Sequence, residues 1–256
     1  MLVVQTGVEV FAMLVDMQYI PIKTRIMQPP QDDLFAVLDA SLSDVQAGDI
    51  VAISSKVISI HEGNCFDLAT TDKKALVEEQ ADLVIKRDYW HSPLTVTRNA
   101  FIGTAGVDES NADGFLVPLP VDSFASAKAV QHYLRQRFGL QRVGVLITDS
   151  HSTPLRRGAV GVAIGWCGFT PTTNHVGKPD LFGREIKIEV SNLADGLAAG
   201  STIVMGEVAE CQPVVIIRGT PDLEFTDRDT KDDLFVPLQE DTFRVLYERF
   251  LPPSDA

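Results

Sequence analysis

The run Val143-Gly144-Val145-Leu146-Ile147-Thr148 is apolar throughout and bounded by polar residues, the pattern of a strand buried in a sheet and ending at Asp149. A helix precedes it. From Asp122 to Phe138 the apolar positions Ala127, Val130, Leu134 and Phe138 recur at helical spacing, and Gly139 follows as the stop.

Further elements surround this pair. Met17 to Ile22 reads as a short strand, and Asp32-Asp33 opens a helix carrying Leu34, Val37 and Leu38. Gly48-Asp49 launches the strand Ile50-Val51-Ala52-Ile53, while Lys73 to Ile85 has helical character with Leu76, Val77, Leu83 and Val84 as its apolar stripe. Val160 to Ile164 and Val214 to Ile217 read as strands, as does Glu185 to Val190, where Ile186, Ile188 and Val190 alternate with charged residues. Asn192 to Met205 contains Gly196 and Gly200, so it is a helix only with tertiary support. Asp241 to Phe250 reads as a terminal helix packing Val245, Leu246 and Phe250. Helices and strands alternate irregularly, which favours α+β over a doubly wound sheet. The expected organisation is an N-terminal extension at residues 1–16, a catalytic body at 17–220, and an acidic segment at 221–256 ending in a helix packed on the body.

Composition narrows the function. At 256 residues, with 45% hydrophobic and 22% charged residues, the chain can bury a substantial core without a staple. The net charge of −13 and pI near 4.7 argue against a nucleic-acid partner, since that affinity comes largely from clustered Lys and Arg. Cys65, Cys167 and Cys211 have no C-x-x-C spacing, which indicates neither a disulfide framework nor a structural zinc site. No apolar stretch reaches the ~20 residues of a helical membrane span, and the first sixteen residues lack the basic region of a secretion signal. A soluble, cytoplasmic protein is expected, without membrane partners.

The familiar phosphate loops G-x-x-x-x-G-K-[ST] and G-x-G-x-x-G are absent. Asp108 to Gly114 is not a calcium loop, because its fifth position is Ala112 and its glycine falls one place late. Asp108 and Asp149 each lie beside small or hydroxyl residues at the mouth of an apolar segment. Such oxygens suit a hard cation such as magnesium, and they also suit turns and caps. Arg156, Arg157 and Arg184 stand in glycine-containing segments, where they can fork onto phosphate or carboxylate oxygens or pair at the surface. His151 is either a cation contact or proton shuttle, or a plain polar residue.

Several longer segments stand together in order. Gly144 to Ser150 followed by Arg156-Arg157-Gly158-Ala159-Val160-Gly161-Val162-Ala163-Ile164-Gly165 closely resembles the central signature of the coenzyme F-420-0:L-glutamate γ-glutamyl ligases. Gly48 to Lys56, Ala105 to Asn111, Lys178 to Glu185 and Met205-Gly206-Glu207 resemble that family in the same order, and the likeness covers about residues 17–219. The resemblance implies an α+β fold particular to the family, an intertwined homodimer, GTP as co-substrate, and two divalent ions, Mg2+ or Mn2+. It also leaves room for a potassium ion. Asp108 and Asp149 are implied as catalytic metal ligands, joined by Ser150 and Glu207. Arg25, Ile26, Met27, Gln28, Ser55, Lys56, Asn111, Met205 and Gly206 are implied at the nucleotide.

The implied reaction adds L-glutamate to coenzyme F-420-0 through an acyl phosphate. The same chemistry on a folate-like acceptor and an inactive nucleotide-binding regulator are the alternatives. Two departures bear on substrate. Ile60 stands where the family commonly has a lysine that helps hold nucleotide, and Ser150-His151-Ser152-Thr153 replaces the family's frequent Thr-x-Gly-Arg.

Overall fold

The computed structural model of the chain describes residues 16–87, 92–221 and 223–251. Residues 1–15 of the expected extension lie outside the described residues. β1 (Gln18–Ile22) and α1 (Leu34–Ser41) come first, followed by β2 (Ile50–Ser54), α2 (Ser55–Glu62), β3 (Phe66–Asp67) and α3 (Lys73–Gln80). β4 (Leu83–Ile85), β5 (Leu94–Thr97), β6 (Ala100–Gly103) and β7 (Phe115–Leu116) lead into α4 (Ser123–Phe138). Then come β8 (Gly144–Ser152), β9 (Ala159–Cys167), β10 (Thr172–Asn174), β11 (Val190–Asn192), α5 (Leu193–Met205) and β12 (Val214–Arg218). The class is α+β, with mixed sheets and helices.

The centre is a five-stranded sheet in the order β1-β12-β2-β8-β9. Only β2 and β8 run parallel; the other neighbours are antiparallel. Both faces are covered, so β8 is apolar at successive residues: Val145 and Ile147 join the core with α1, α2 and α4, while Leu146 joins the opposite core with α5. Local chemistry sets the helix starts. Asp33 and Asp122 accept the first free N–H groups of α1 and α4, Asn192 does so for α5, and Gly139 ends α4 in the left-handed conformation.

Three expectations need correction. The helix expected over Lys73 to Ile85 stops at Gln80, because Ala81 turns extended and Leu83 and Ile85 alternate into a second core against Val96 and Tyr247. β4, β5 and β6 there form a three-stranded antiparallel sheet whose hairpin turns at Arg98 and Asn99, both at positive φ. Glu185 to Val190 is not a strand: Ile188 is 89% exposed, and only Val190 enters β11. Its backbone is held by a local turn rather than by a ladder: Ile186 donates to the Lys178 carbonyl and accepts from the Gly177 N–H, both at 2.9 Å, and Glu185 forms an isolated bridge with Pro179. Finally, Asp241 to Phe250 forms the short 3-10 turns Arg244–Leu246 and Glu248–Phe250 rather than an α-helix. Val245 and Leu246 are exposed, and Tyr247 is the residue that buries.

The segment after β12 packs across both sheets. Thr230 accepts a hydrogen bond from the Trp166 indole at 3.0 Å, and Phe235 meets the Trp166 ring edge-on. Tyr247 packs on Phe101 of β6 and donates to Asp241 at 2.8 Å. None of the described helices is long and apolar enough to cross a membrane.

Candidate functional site

Because β2 and β8 run parallel with Ser54 opposite Thr148, the residues that follow emerge at one level. Ser55 opens α2 and donates its hydroxyl to Asp149 Oδ1 at 2.9 Å. Between Ile147 and Thr148 the β8–β9 register slips, leaving Ile164 as an extra residue on β9; such bulges re-aim the side chains beside them. Strand alternation then sends Ser150 the other way, where its hydroxyl donates to Glu207 Oε1 at 3.0 Å, just beyond the end of α5. Gly161, paired with Ser150, lets α5 come this close: a Cβ there would lie 2.4 Å from the Ala198 carbonyl oxygen.

Asp108 arrives from a different kind of structure. Its backbone bridges to Val117, and the surrounding loop holds Thr104, Ala105, Asn111 and Asp113 at positive φ, a region costly for residues other than glycine. The Lys56 ammonium donates to Asp108 Oδ2 at 2.5 Å and to the Ser110 carbonyl at 2.6 Å. Ser110 closes the turn through its N–H and hydroxyl, which donate to the two Asp108 oxygens at 2.8 and 2.9 Å.

The two carboxylates are tuned apart. Asp149 keeps some solvent-accessible surface, but its carboxyl lies deep among protein atoms, and this burial pushes its pKa up to about 6 against the donations from Ser55 and Ser150. The charge on Asp108 raises it further. At Asp108 itself burial also favours the neutral form, but hydrogen bonds from Lys56 and Ser110 outweigh it and hold the carboxyl below its ordinary value. Two carboxylates that feel one another, with one lacking an ion partner, form a site short of positive charge.

A cleft of about 870 Å³ lies between these walls. It is lined by Arg25, Ile26, Met27, Gln28, Lys56, Asn111, Met205 and Gly206 from the expected nucleotide set, and by Asp108, Asp149, Ser150 and Glu207 from the expected metal set. Ser55 is buried behind Asp149. Within the cleft several of these groups are already engaged. Arg25 is clamped on Asp32 by bonds of 2.5 and 2.7 Å, and Asn111 donates to the Val208 carbonyl at 2.8 Å. His151 lines the cleft with its Nδ1 3.2 Å from the Phe101 carbonyl oxygen, and Ile60 lies at its wall. Arg156, Arg157 and Arg184 are exposed and do not line it.

Sequence reasoning passed over Ser110, Asp32 and Glu210. The Asp-x-Ser spacing at Asp108 is a side-chain-to-backbone turn signal that points to Ser110. Of the two acids that open α1 in the sequence, Asp33 caps the helix, whereas Asp32 accepts from Arg25 and from the Gln28 N–H and so shapes the wall at residues 25–28. Glu210 accepts from the Val208 N–H at 2.9 Å across the turn that follows Gly206, a contact between residues too close in sequence to stand out.

Residues 21–219 match the family described as F420-0:Gamma-glutamyl ligase. Three curated relatives bear the name Coenzyme F420:L-glutamate ligase. The one from Methanopyrus kandleri is 35% identical over 80% of this chain and 87% of its own length. That from Halorubrum lacusprofundi is 34% identical over 83% and 90%, and that from Methanothermobacter thermautotrophicus 34% identical over 73% and 81%.

Proposed function

This chain belongs to the F420-0:γ-glutamyl ligase family, and from that premise we propose that it joins L-glutamate to coenzyme F-420-0, using GTP and divalent cations. The observation that carries the reading is the convergence of Asp108, Asp149, Ser150 and Glu207 with Lys56 and Ser55 around one cleft, although they come from four separate stretches of chain.

The donors suit Mg2+ or Mn2+. They are carboxylate and hydroxyl oxygens, two of the carboxylates interact, and Lys56 already sits on one as a stand-in cation. Among the described residues no three acid, histidine or cysteine side chains form a ready-made metal cluster, so nucleotide phosphates and water would complete the coordination of two ions. Bound there, the cations supply positive charge to the β- and γ-phosphates.

A carboxylate is a poor electrophile because amine attack would have to expel an oxide. In the proposed reaction an acceptor carboxylate oxygen attacks the γ-phosphorus and GDP leaves. The glutamate amine then attacks the acyl carbon, phosphate departs with the C–O electron pair, and the amine loses its proton. Asp149 and Asp108 anchor the charge-neutralising ions, Lys56 and the Ser55 end of α2 meet the phosphates, and the 25–28 and 205–211 segments enclose the nucleotide. Incubation with GTP, Mg2+, glutamate and the unglutamylated coenzyme should yield GDP, phosphate and a product heavier by one glutamyl unit, with hydroxylamine diverting the intermediate to a hydroxamate. Extension of a folate instead would keep the chemistry and change the acceptor; GTP binding without turnover on either acceptor would favour the regulator. Equal kcat/KM for ATP and GTP would remove the base preference.

A homodimer belongs to the same reading. Leu155, in the β8–β9 connection, and Leu181, in the β10–β11 connection, are 98% exposed, Phe182 is 89% exposed, and a second copy of the chain is the proposed cover. Sedimentation should show a dimer that the double substitution Leu181→Asp/Phe182→Asp dissociates.

A further inference from the structure

Lys56 has two claims on it that cannot both be met at once. As a residue of the first turn of α2, next to Ser55, it stands where the proposed nucleotide phosphates enter. Yet its ammonium is seated among oxygens of the opposite wall: Asp108 Oδ2 at 2.5 Å, the Ser110 carbonyl at 2.6 Å and the Ser110 hydroxyl at 3.3 Å. That set, one carboxylate and neutral oxygens, is what a hard cation takes. A lysine ammonium is a compact point charge on a flexible stem, well suited to fill such a seat and to leave it. Lys56 also lowers the pKa of Asp149, so its charge is felt by both carboxylates of the cleft.

We propose that Lys56 is a tethered cation that holds Asp108 in the ligand-free protein and yields that carboxylate to a divalent ion as it turns to the nucleotide phosphates. The proposal rests on the nucleotide and metal reading of this cleft and adds an exchange to it. An ammonium in contact with Asp108 repels an incoming divalent ion, so Lys56 suppresses metal binding until phosphates offer it another anion. Metal and nucleotide affinities are then coupled through one side chain as well as through direct chelation. The ion pair also keeps Asp108 charged and its strained loop in place when no ligand is bound.

The test is binding, read without turnover, by calorimetry and by the paramagnetic signal of free Mn2+. Lys56→Met should bind Mn2+ alone about ten times more tightly than wild type, and should bind GTP in excess chelator about ten times more weakly. Lys73→Met, which removes a charge paired with Glu109 on the neighbouring turn, should change Mn2+ affinity less than about twofold, separating the exchange from a general loss of positive charge. Lys56→Gln has the same expected signs and serves if the methionine variant does not fold. Unchanged or weaker Mn2+ binding in both Lys56 variants overturns the exchange, as does unchanged GTP affinity in chelator, even where wild type binds Mn2+ and GTP together. If wild type binds neither Mn2+ nor GTP, the reading of the cleft falls and the exchange falls with it.

Discussion

Asp149 and Asp108 face the same cleft but are held by opposite means. Asp149 sits inside β8, which runs on to Ser152 rather than ending at Asp149 as expected, just past the last residue paired with β2; in the same wall Gly161 and α5 touch through backbone, and the donors to Asp149 are neutral hydroxyl and amide groups. Asp108 sits on an open loop of left-handed residues and is neutralised by Lys56. The difference teaches that a carboxylate's readiness for a cation depends on what already balances its charge. Asp149 has no ion partner, whereas Asp108 already has one in Lys56, which on the proposed reading a divalent ion would replace.

The largest effect should erase the contrast. Asp149→Asn and Asp108→Asn should each lower turnover at saturating GTP by about a thousandfold or more, since each removes a charge needed to hold ions at the reacting phosphates. Near-normal kcat at limiting magnesium in either variant would take that carboxylate out of the site.

Packing separates the walls next. Gly161→Ala should destabilise the protein by about 3 kcal/mol, because its methyl would press on the Ala198 carbonyl and lift α5 from β9. Gly103→Ala beside the open wall should be nearly neutral, as nothing lies within 4 Å of the added carbon and its φ is not positive. Denaturant midpoints that shift equally for the two would show that the Asp149 wall is not the tighter one.

Charge should then split the aspartates in stability, where turnover should not. Asp149 has its folded pKa raised, so its contribution declines as pH rises from about 4 to about 6, and the full penalty is present above that. Asp149→Asn removes the penalty and should stabilise the ligand-free protein at pH 7 by on the order of 2 kcal/mol, with little gain at pH 4. Asp108 has its folded pKa lowered; its stabilisation is present above the unfolded value and is lost as pH falls through the folded one. The smaller of the two charge effects is Asp108→Asn, which should destabilise at pH 7 by less than ~1 kcal/mol, because the pair with Lys56 is partly exposed. Thermal melts of the three proteins from pH 4 to pH 7 read both signs, and shifts of one sign for both variants would refute the contrast.

The tight wall was the more legible in the sequence. Val143 to Thr148 declares a buried strand, Asp122 and Gly139 bracket α4, and the apolar positions of α1 bury as spaced. Those signals are local, and the wall is built from regular elements that keep them. The three-stranded sheet was missed because its strands are too short for periodicity to speak, and its turn uses Arg98-Asn99 rather than a glycine pair. Residues gathered at the cleft, such as Ser55 with Asp149 and Lys56 with Asp108, were assembled by family likeness, because bonds across 94 and 52 residues leave no trace in spacing. Asp32 shows the limit from the other side: a neighbouring pair of acids divides between capping a helix and clamping an arginine, which composition cannot separate.

The chain beyond the family match joins two sheets. One end of residues 223–251 contacts Trp166 on the central sheet and Phe169 just beyond it, through Thr230 and Phe235, and the other contacts Phe101 on the three-stranded sheet through Tyr247. Those two sheets supply the strand ends at the cleft, Asp149 to Ser152 from one and Ile102-Gly103 from the other. The segment thus spans the two sheets that line the cleft, and it lies outside the residues 21–219 that match the family. A version of the protein trimmed to residues 21–219 would keep every group named at the site and lose these contacts between the two sheets.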